Sequence, residues 1–169
     1  MRALMVIAQQ IFRDEEYAEP KTILERSGVN VTTASTSAGP AEGKLGMAAT
    51  ADLGIVDVDP DDYDAVIFVG GGGSAVFFDD PIAHRIARSA SDRGALVAAI
   101  CVAPSILAHA GLLEGQTVTA FESQEDDLRA HHALYTGNPV EVDGMLVTAN
   151  GPKAATAFGT AIVTLLGVG

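Results

Sequence analysis

The chain has no tryptophan, one cysteine and only 5% aromatic residues in 169. The single Cys101 excludes an internal disulfide framework. Scarce aromatics leave a core of aliphatic side chains and alanine. Cations are also few: ten Lys and Arg face 22 Asp and Glu, for a formal charge of -12, and the only lysines are Lys21, Lys44 and Lys153. Such a surface repels phosphate backbones and anionic bilayers, so neither nucleic acid nor membrane is an expected partner. The acid excess suits salt adaptation or a soluble acidic enzyme. The opening run MRALMVIAQQ turns polar too soon for a membrane span and shows no small-residue cleavage site. A cytoplasmic location is expected.

What is present is apolar and glycine-rich. Hydrophobic residues make up 48% and mean hydropathy is +0.26, which excludes a disordered chain. The length fits one domain over residues 1–169. Eighteen glycines without a triplet period indicate many tight turns, not collagen. Ala3–Ala8, Val29–Ala34, Ala65–Val69 and Ala95–Ile100 read as buried strands. Between them lie helices expected at Glu15–Ser27, Ile82–Asp92 (with Asp80 and Pro81 as cap and first residue), from Pro104 to Gly111, and at Lys153–Leu166. Pro20 warns of a kink or later start in the first. Residues 35–60 read as loop with short antiparallel strands. A short helix near Gln124–His131 and a hairpin through Asp143-Gly144 complete the expectation. Strands alternating with helices predict an α/β fold with a mostly parallel sheet covered on both faces.

Open parallel sheets carry their sites at the carboxyl ends of strands. Gln9–Glu16, Gly70–Ser74 and Cys101–Ala103 then share one edge. Cys101 stands between strand and helix with small residues two positions either side, the pattern of a nucleophile elbow. The helix opening near Pro104 should lower its pKa and favour thiolate. A buried structural thiol is the competing reading. Of the acids Asp14-Glu15-Glu16, most suit a solvated first helical turn, and one is expected to serve the thiol as acid and base. Gly70–Gly73 matches neither a P-loop nor a dinucleotide fingerprint. It suits backbone N–H groups presented as an oxyanion hole, or a plain flexible loop. His84 and His109 read as surface or packing residues, and His131-His132 as able to reach a site. No zinc spacing appears, so neither metal nor cofactor is expected.

Taken together, the chain resembles the ThiJ/PfpI superfamily. The resemblance runs through Phe12–Tyr17 to Pro20, Val69-Gly70-Gly71, Ala98–Cys101, Ala103-Pro104, Val142-Asp143-Gly144, Gly151-Pro152 and Phe158. It implies a flavodoxin-like α/β/α sandwich and a homodimer. It implies Cys101 as nucleophile, Glu16 as the acid hydrogen-bonded to it, and the Gly71 and Val102 amides as oxyanion donors. It also matches His132 to a histidine near the thiol in the DJ-one branch. The protease branch places a His directly after the Cys and draws an acid from the loop after the paired glycines; here the first position is Val102 and Ser74–Phe78 offers no acid. Class I glutamine amidotransferases need a later His-x-Glu that is also missing. The expected function is a cofactor-free cysteine enzyme acting on reactive carbonyls, glyoxalase- or deglycase-like, with a small carbonyl or glycated adduct as substrate. The alternatives are a redox-sensing or chaperone-like stress protein, and an intracellular peptidase or amidase.

Overall fold

The computed structural model describes residues 1–169. In chain order the elements are β1 (Arg2–Val6), β2 (Gln10–Phe12), α1 (Asp14–Arg26), β3 (Asn30–Ser35), β4 (Gly39–Gly43), β5 (Ala48–Ala51) and β6 (Leu53–Gly54). Then come β7 (Ala65–Phe68), α2 (Pro81–Asp92), β8 (Leu96–Ile100), α3 (Pro104–His109), β9 (Thr117–Val118) and α4 (Glu125–Ala130). The chain ends with β10 (Leu134–Tyr135), β11 (Val140–Asp143), β12 (Leu146–Ala149) and α5 (Ala155–Leu166).

The central sheet has the order β11-β12-β8-β7-β1-β3-β6, and β11 alone runs antiparallel, in the hairpin through Asp143-Gly144. The central strands β7 and β8 are apolar at every position, and β1 at every position after Arg2, because both faces are covered there. Alternation along each strand divides the core. Leu4, Val6, Val66, Phe68, Val97 and Ala99 pack with α2, α3 and α4. Ala3, Met5, Ile67, Leu96, Ala98 and Ile100 pack with α1 and α5. This is the three-layer flavodoxin-like sandwich that was expected.

Local chemistry explains the boundaries. Asp80 accepts hydrogen bonds from the Ile82 and Ala83 amides, and Pro81 opens α2. Helix α1 runs straight through Pro20, which is buried. Its ring lies where α5 crosses α1: a Cβ on Gly159 would come within 2.9 Å of Pro20 Cα. The absence of a side chain at Gly159 lets α5 pack this closely over the proline. Residues 39–51 form the expected antiparallel pair, β4 with β5, and the short β2 adds alongside β4 as a third strand that hydropathy alone did not reveal.

After β1 the chain moves outward to β3, then returns to the other side of β1 as β7. The carboxyl ends of β1 and β7 therefore flank the point where strand order reverses, the place where such sheets open a crevice. The loop after β1 and the glycine run after β7 meet there, with the end of β8 beside them.

Candidate functional site

Cys101 follows β8 directly and has a left-handed backbone, φ 65°. For a residue with a Cβ this costs roughly 1–2 kcal/mol. The strain redirects the side chain. A continued strand would send it the way of Val97 and Ala99, toward α2 and α3. Instead Cys101 packs with Ile100 on the α1–α5 side. Three backbone bonds brace the turn: the Cys101 amide donates to the Ala149 carbonyl (2.9 Å), the Phe121 amide to the Cys101 carbonyl (2.8 Å), and the Ala103 amide to the Ile100 carbonyl (3.1 Å). The sharp strand–Cys101–helix turn read from the sequence is thus present. Its sulfur-bearing residue is nearly enclosed, at 9% exposure.

Glu16 lies in the first turn of α1 and is completely buried. Neither carboxyl oxygen has a hydrogen-bond partner at good geometry. The polar groups acting on it are the Cys101 thiol and the Gly70 backbone. The three consecutive acids have three separate fates. Asp14 accepts from the Leu45 and Met47 amides (3.1 and 3.2 Å), pinning the β4–β5 hairpin onto α1. Glu15 takes a two-pronged contact from Arg13 (2.7 and 3.3 Å). Only Glu16 turns inward.

Glycines make this approach possible. A Cβ on Gly70 would fall onto Glu16 Oε2 and lie 2.6 Å from Cys101 Cβ. Gly71 has φ 100°, and a Cβ there would strike the Ile11 carbonyl oxygen at 2.5 Å. The Arg13 amide donates to the Gly70 carbonyl (3.0 Å), so the start of α1 is clipped to the glycine run. Ser74 closes the run by donating through its hydroxyl to the Gly71 carbonyl (2.8 Å).

Electrostatics couple Cys101 and Glu16. Burial is the main cause that pushes the Glu16 carboxyl up to about 7. Burial also pushes the Cys101 thiol up, to about 12, and the charge and hydrogen bonding of Glu16 add to the rise. The Gly71 and Val102 amides act on the sulfur in the opposite sense but do not prevail. The expectation that the Pro104 helix lowers this pKa is therefore corrected. That helix has only six residues, and desolvation beside a carboxylate outweighs its dipole. Both shifts favour the protonated forms, so near neutrality the sulfur carries its proton.

The structure thus gathers four of the five expected residues: Cys101, Glu16, Gly71 and Val102. It does not bring His132 to them. His132 is exposed, has φ 63°, and accepts at its carbonyl from the Gly115 amide. Gly115 precedes β9, whereas Phe121 beyond it donates to Cys101. The extended stretch between them spans on the order of 15–20 Å. From this part of the chain the residue beside Cys101 is Phe121, 41% exposed, which sequence reasoning missed. Arg13 was missed as well. Hydrogen bonding to Glu15 chiefly raises its pKa, with Glu16 and Cys101 contributing at longer range. A cavity of about 530 Å³ opens along the same edge, lined in part by Phe121, Tyr135, Asn150, Gly151 and Lys153. No helix is long and apolar enough to cross a membrane.

Comparison with known proteins agrees with this geometry. The family model described as DJ-1/PfpI matches residues 1–165. An uncharacterised protein of Methanocaldococcus jannaschii is 37% identical over 96% of this chain and 80% of its own length. A protein named deglycase from Pyrococcus abyssi is 33% identical, covering 98% of this chain and 99% of its own. The crystal structure of a ThiJ/PfpI domain protein from Brachyspira murdochii superposes with a TM-score of 0.96 at 38% identity, covering 98% of this chain and 96% of that one. By sequence, sandwich and elbow, the chain belongs to the DJ-1/PfpI family.

Proposed function

We propose that the protein is a cofactor-independent cysteine enzyme that converts small reactive carbonyls, such as methylglyoxal, to 2-hydroxy acids. The observation that carries this reading is Glu16: a fully buried carboxyl with no hydrogen bond of good geometry, set against the Cys101 thiol. Such a group costs stability, and carboxyls kept at that cost in a crevice beside a thiol are typical of functional sites. The relatives named deglycase support the same chemistry, since a glycated amine and a free dicarbonyl present related carbon centres.

The reaction starts with ionised Glu16 taking the thiol proton as the sulfur adds to the aldehyde carbon. The new oxyanion lies by the Gly71 and Val102 amides, which donate to it before it is protonated. Glu16 returns the thiol proton to this oxygen, removes the proton from the former aldehyde carbon to leave an enediolate, and delivers it to the neighbouring carbon, while the proton of the new hydroxyl passes to the former ketone oxygen. The first carbon is oxidised and the second reduced, and the product of this internal exchange is a thioester of Cys101. Water cleaves the thioester, giving the 2-hydroxy acid and the free thiol. The sum is methylglyoxal plus water to lactate, with no external electron acceptor. Phe121 and the cavity beyond it form the approach for substrate.

Two other readings have less support. A redox sensor works best with an exposed, low-pKa thiolate, whereas Cys101 is enclosed and its pKa is raised. A peptidase needs a histidine on the thiol, and the groups acting on this thiol are Glu16 and two amides. The cytoplasmic location and homodimeric assembly expected above go with the carbonyl reading. The test is lactate formation from methylglyoxal without glutathione. Wild type is expected to turn over, and Cys101→Ala to lose at least roughly a thousandfold in rate, as expected when a nucleophile is removed. Equal turnover in both would overturn the proposal.

A further inference from the structure

Away from the Cys101 site, two histidines and two aspartates converge between α3 and α4. His109 ends α3, and its ring is bracketed by carboxylates: Nδ1 lies 2.7 Å from Asp79 Oδ1, and Nε2 lies 2.9 and 3.0 Å from the two Asp127 oxygens. Asp127 and His131 stand four residues apart on and just beyond α4, so both face His109. His131 Nδ1 donates to the Asp127 carbonyl at 2.8 Å, and its ring stacks on His109 with centroids 4.7 Å apart. One donor atom from each of His109, Asp127 and His131 falls within a sphere where all lie within 4.8 Å of one another.

We propose that His109, Asp127 and His131 form a binding site for a divalent transition-metal ion of the zinc class, with Asp79 orienting His109. Two imidazoles and one carboxylate suit zinc and disfavour calcium or magnesium, which take oxygen ligands. Metal bonds of about 2.0–2.1 Å put neighbouring ligand atoms roughly 3.3 Å apart in a tetrahedral site. The His109–Asp127 pair already sits near that spacing, and the ion would replace the proton shared between them. His131 Nδ1 already lies 3.5 Å from Asp127 Oδ1, and a rotation of its ring would exchange the bond to the Asp127 carbonyl for one to the ion. The carboxylate on His109 Nδ1 is the outer partner that metal-bound imidazoles usually have, since it fixes which nitrogen faces the ion. Water fills the remaining position, because all three side chains are partly exposed. The site was invisible in the linear spacing because its ligands come from the ends of two separate helices, with the outer partner Asp79 on a third segment. Its effect would be to tie the end of the helix that follows the nucleophile to α4.

The experiment titrates zinc against a chromophoric chelator, using wild type, His131→Gln, Asp127→Asn, Asp79→Asn and Cys101→Ser. One equivalent should bind to wild type and equally to Cys101→Ser. His131→Gln and Asp127→Asn should bind at least roughly tenfold more weakly, and Asp79→Asn should fall between. Thermal melts without zinc establish that each variant is folded; His131 is peripheral, so His131→Gln keeps the test open if Asp127→Asn unfolds. Absence of binding to wild type, undiminished binding in folded His131→Gln, or loss of binding in Cys101→Ser would overturn the proposal.

Discussion

At the scale of residues, two unfavourable features meet at one point. Cys101 adopts a strained backbone, and Glu16 is a carboxyl in an apolar core without a hydrogen-bond partner at good geometry. The cost of Glu16 follows from its pKa. Folding raises it from an ordinary 4.5 to about 7, so the native state prefers the protonated form. Native stability is therefore fullest below about pH 4.5 on this account and falls as pH rises through 7. The loss is about 3 kcal/mol, at 1.36 kcal/mol per unit. Glu16→Gln has no such ionisation. Relative to wild type it should gain about 3 kcal/mol between pH 4.5 and pH 8, measured by urea unfolding at each pH. An unchanged difference between variant and wild type would show that Glu16 does not titrate in the folded protein. The identity of these residues was partly readable from sequence. Cys101 announced itself by following a buried strand and preceding a proline-led helix. Glu16 could be chosen from its two acidic neighbours only by resemblance, because composition cannot say which acid turns inward. The low thiol pKa inferred from the helix failed for the same reason: burial is a property of the folded core.

At the scale of elements, the site depends on contacts between segments distant in sequence. Helix α1 is held at its start by the Arg13–Gly70 backbone bond, and Asp14 anchors the β4–β5 hairpin through the Leu45 and Met47 amides. Gly43 is glycine because a Cβ there would overlap the Asp14 carboxylate. Asp14→Ala should cost about 1.5–3 kcal/mol, the usual loss for bonds to a charged acceptor. It should also speed amide exchange at residues 43–47 while leaving α5 protected. Equal exchange rates in variant and wild type would show that the hairpin does not rely on this anchor. The major strands and helices were readable from hydropathy and capping, as the Asp80-Pro81 start of α2 illustrates. Strand β2 and the β9–β10 pair were not, because two- and three-residue strands carry no period. His132 was misplaced by counting along a segment whose direction only the β9–β10 pairing reveals.

At the scale of the whole molecule, the dominant property is a net charge of -12 on 169 residues. Self-repulsion of this size destabilises the compact state and is screened by salt. The melting temperature should climb between low salt and about 1 M, where the Debye length is about 3 Å. Roughly 2–4 °C is expected for each kcal/mol of relieved repulsion in a chain of this size. A flat or falling profile would mean that the acids are already balanced locally, by pairs such as Arg93–Asp61 and Arg129–Glu125. The two-sided core and the crevice at the strand-order reversal are also whole-molecule properties. They explain why groups from the ends of β1, β7 and β8 can meet around one sulfur.

The central claim is that Glu16 is the proton carrier for Cys101, and the pH dependence of methylglyoxal turnover tests it most directly. In wild type, kcat/KM should rise with pH and level off above a midpoint near 7, as Glu16 becomes able to accept the thiol proton. In Glu16→Gln the rate should drop by roughly a hundredfold or more, and the rise near 7 should vanish. A Glu16→Gln variant that keeps the wild-type rate and midpoint would contradict the account.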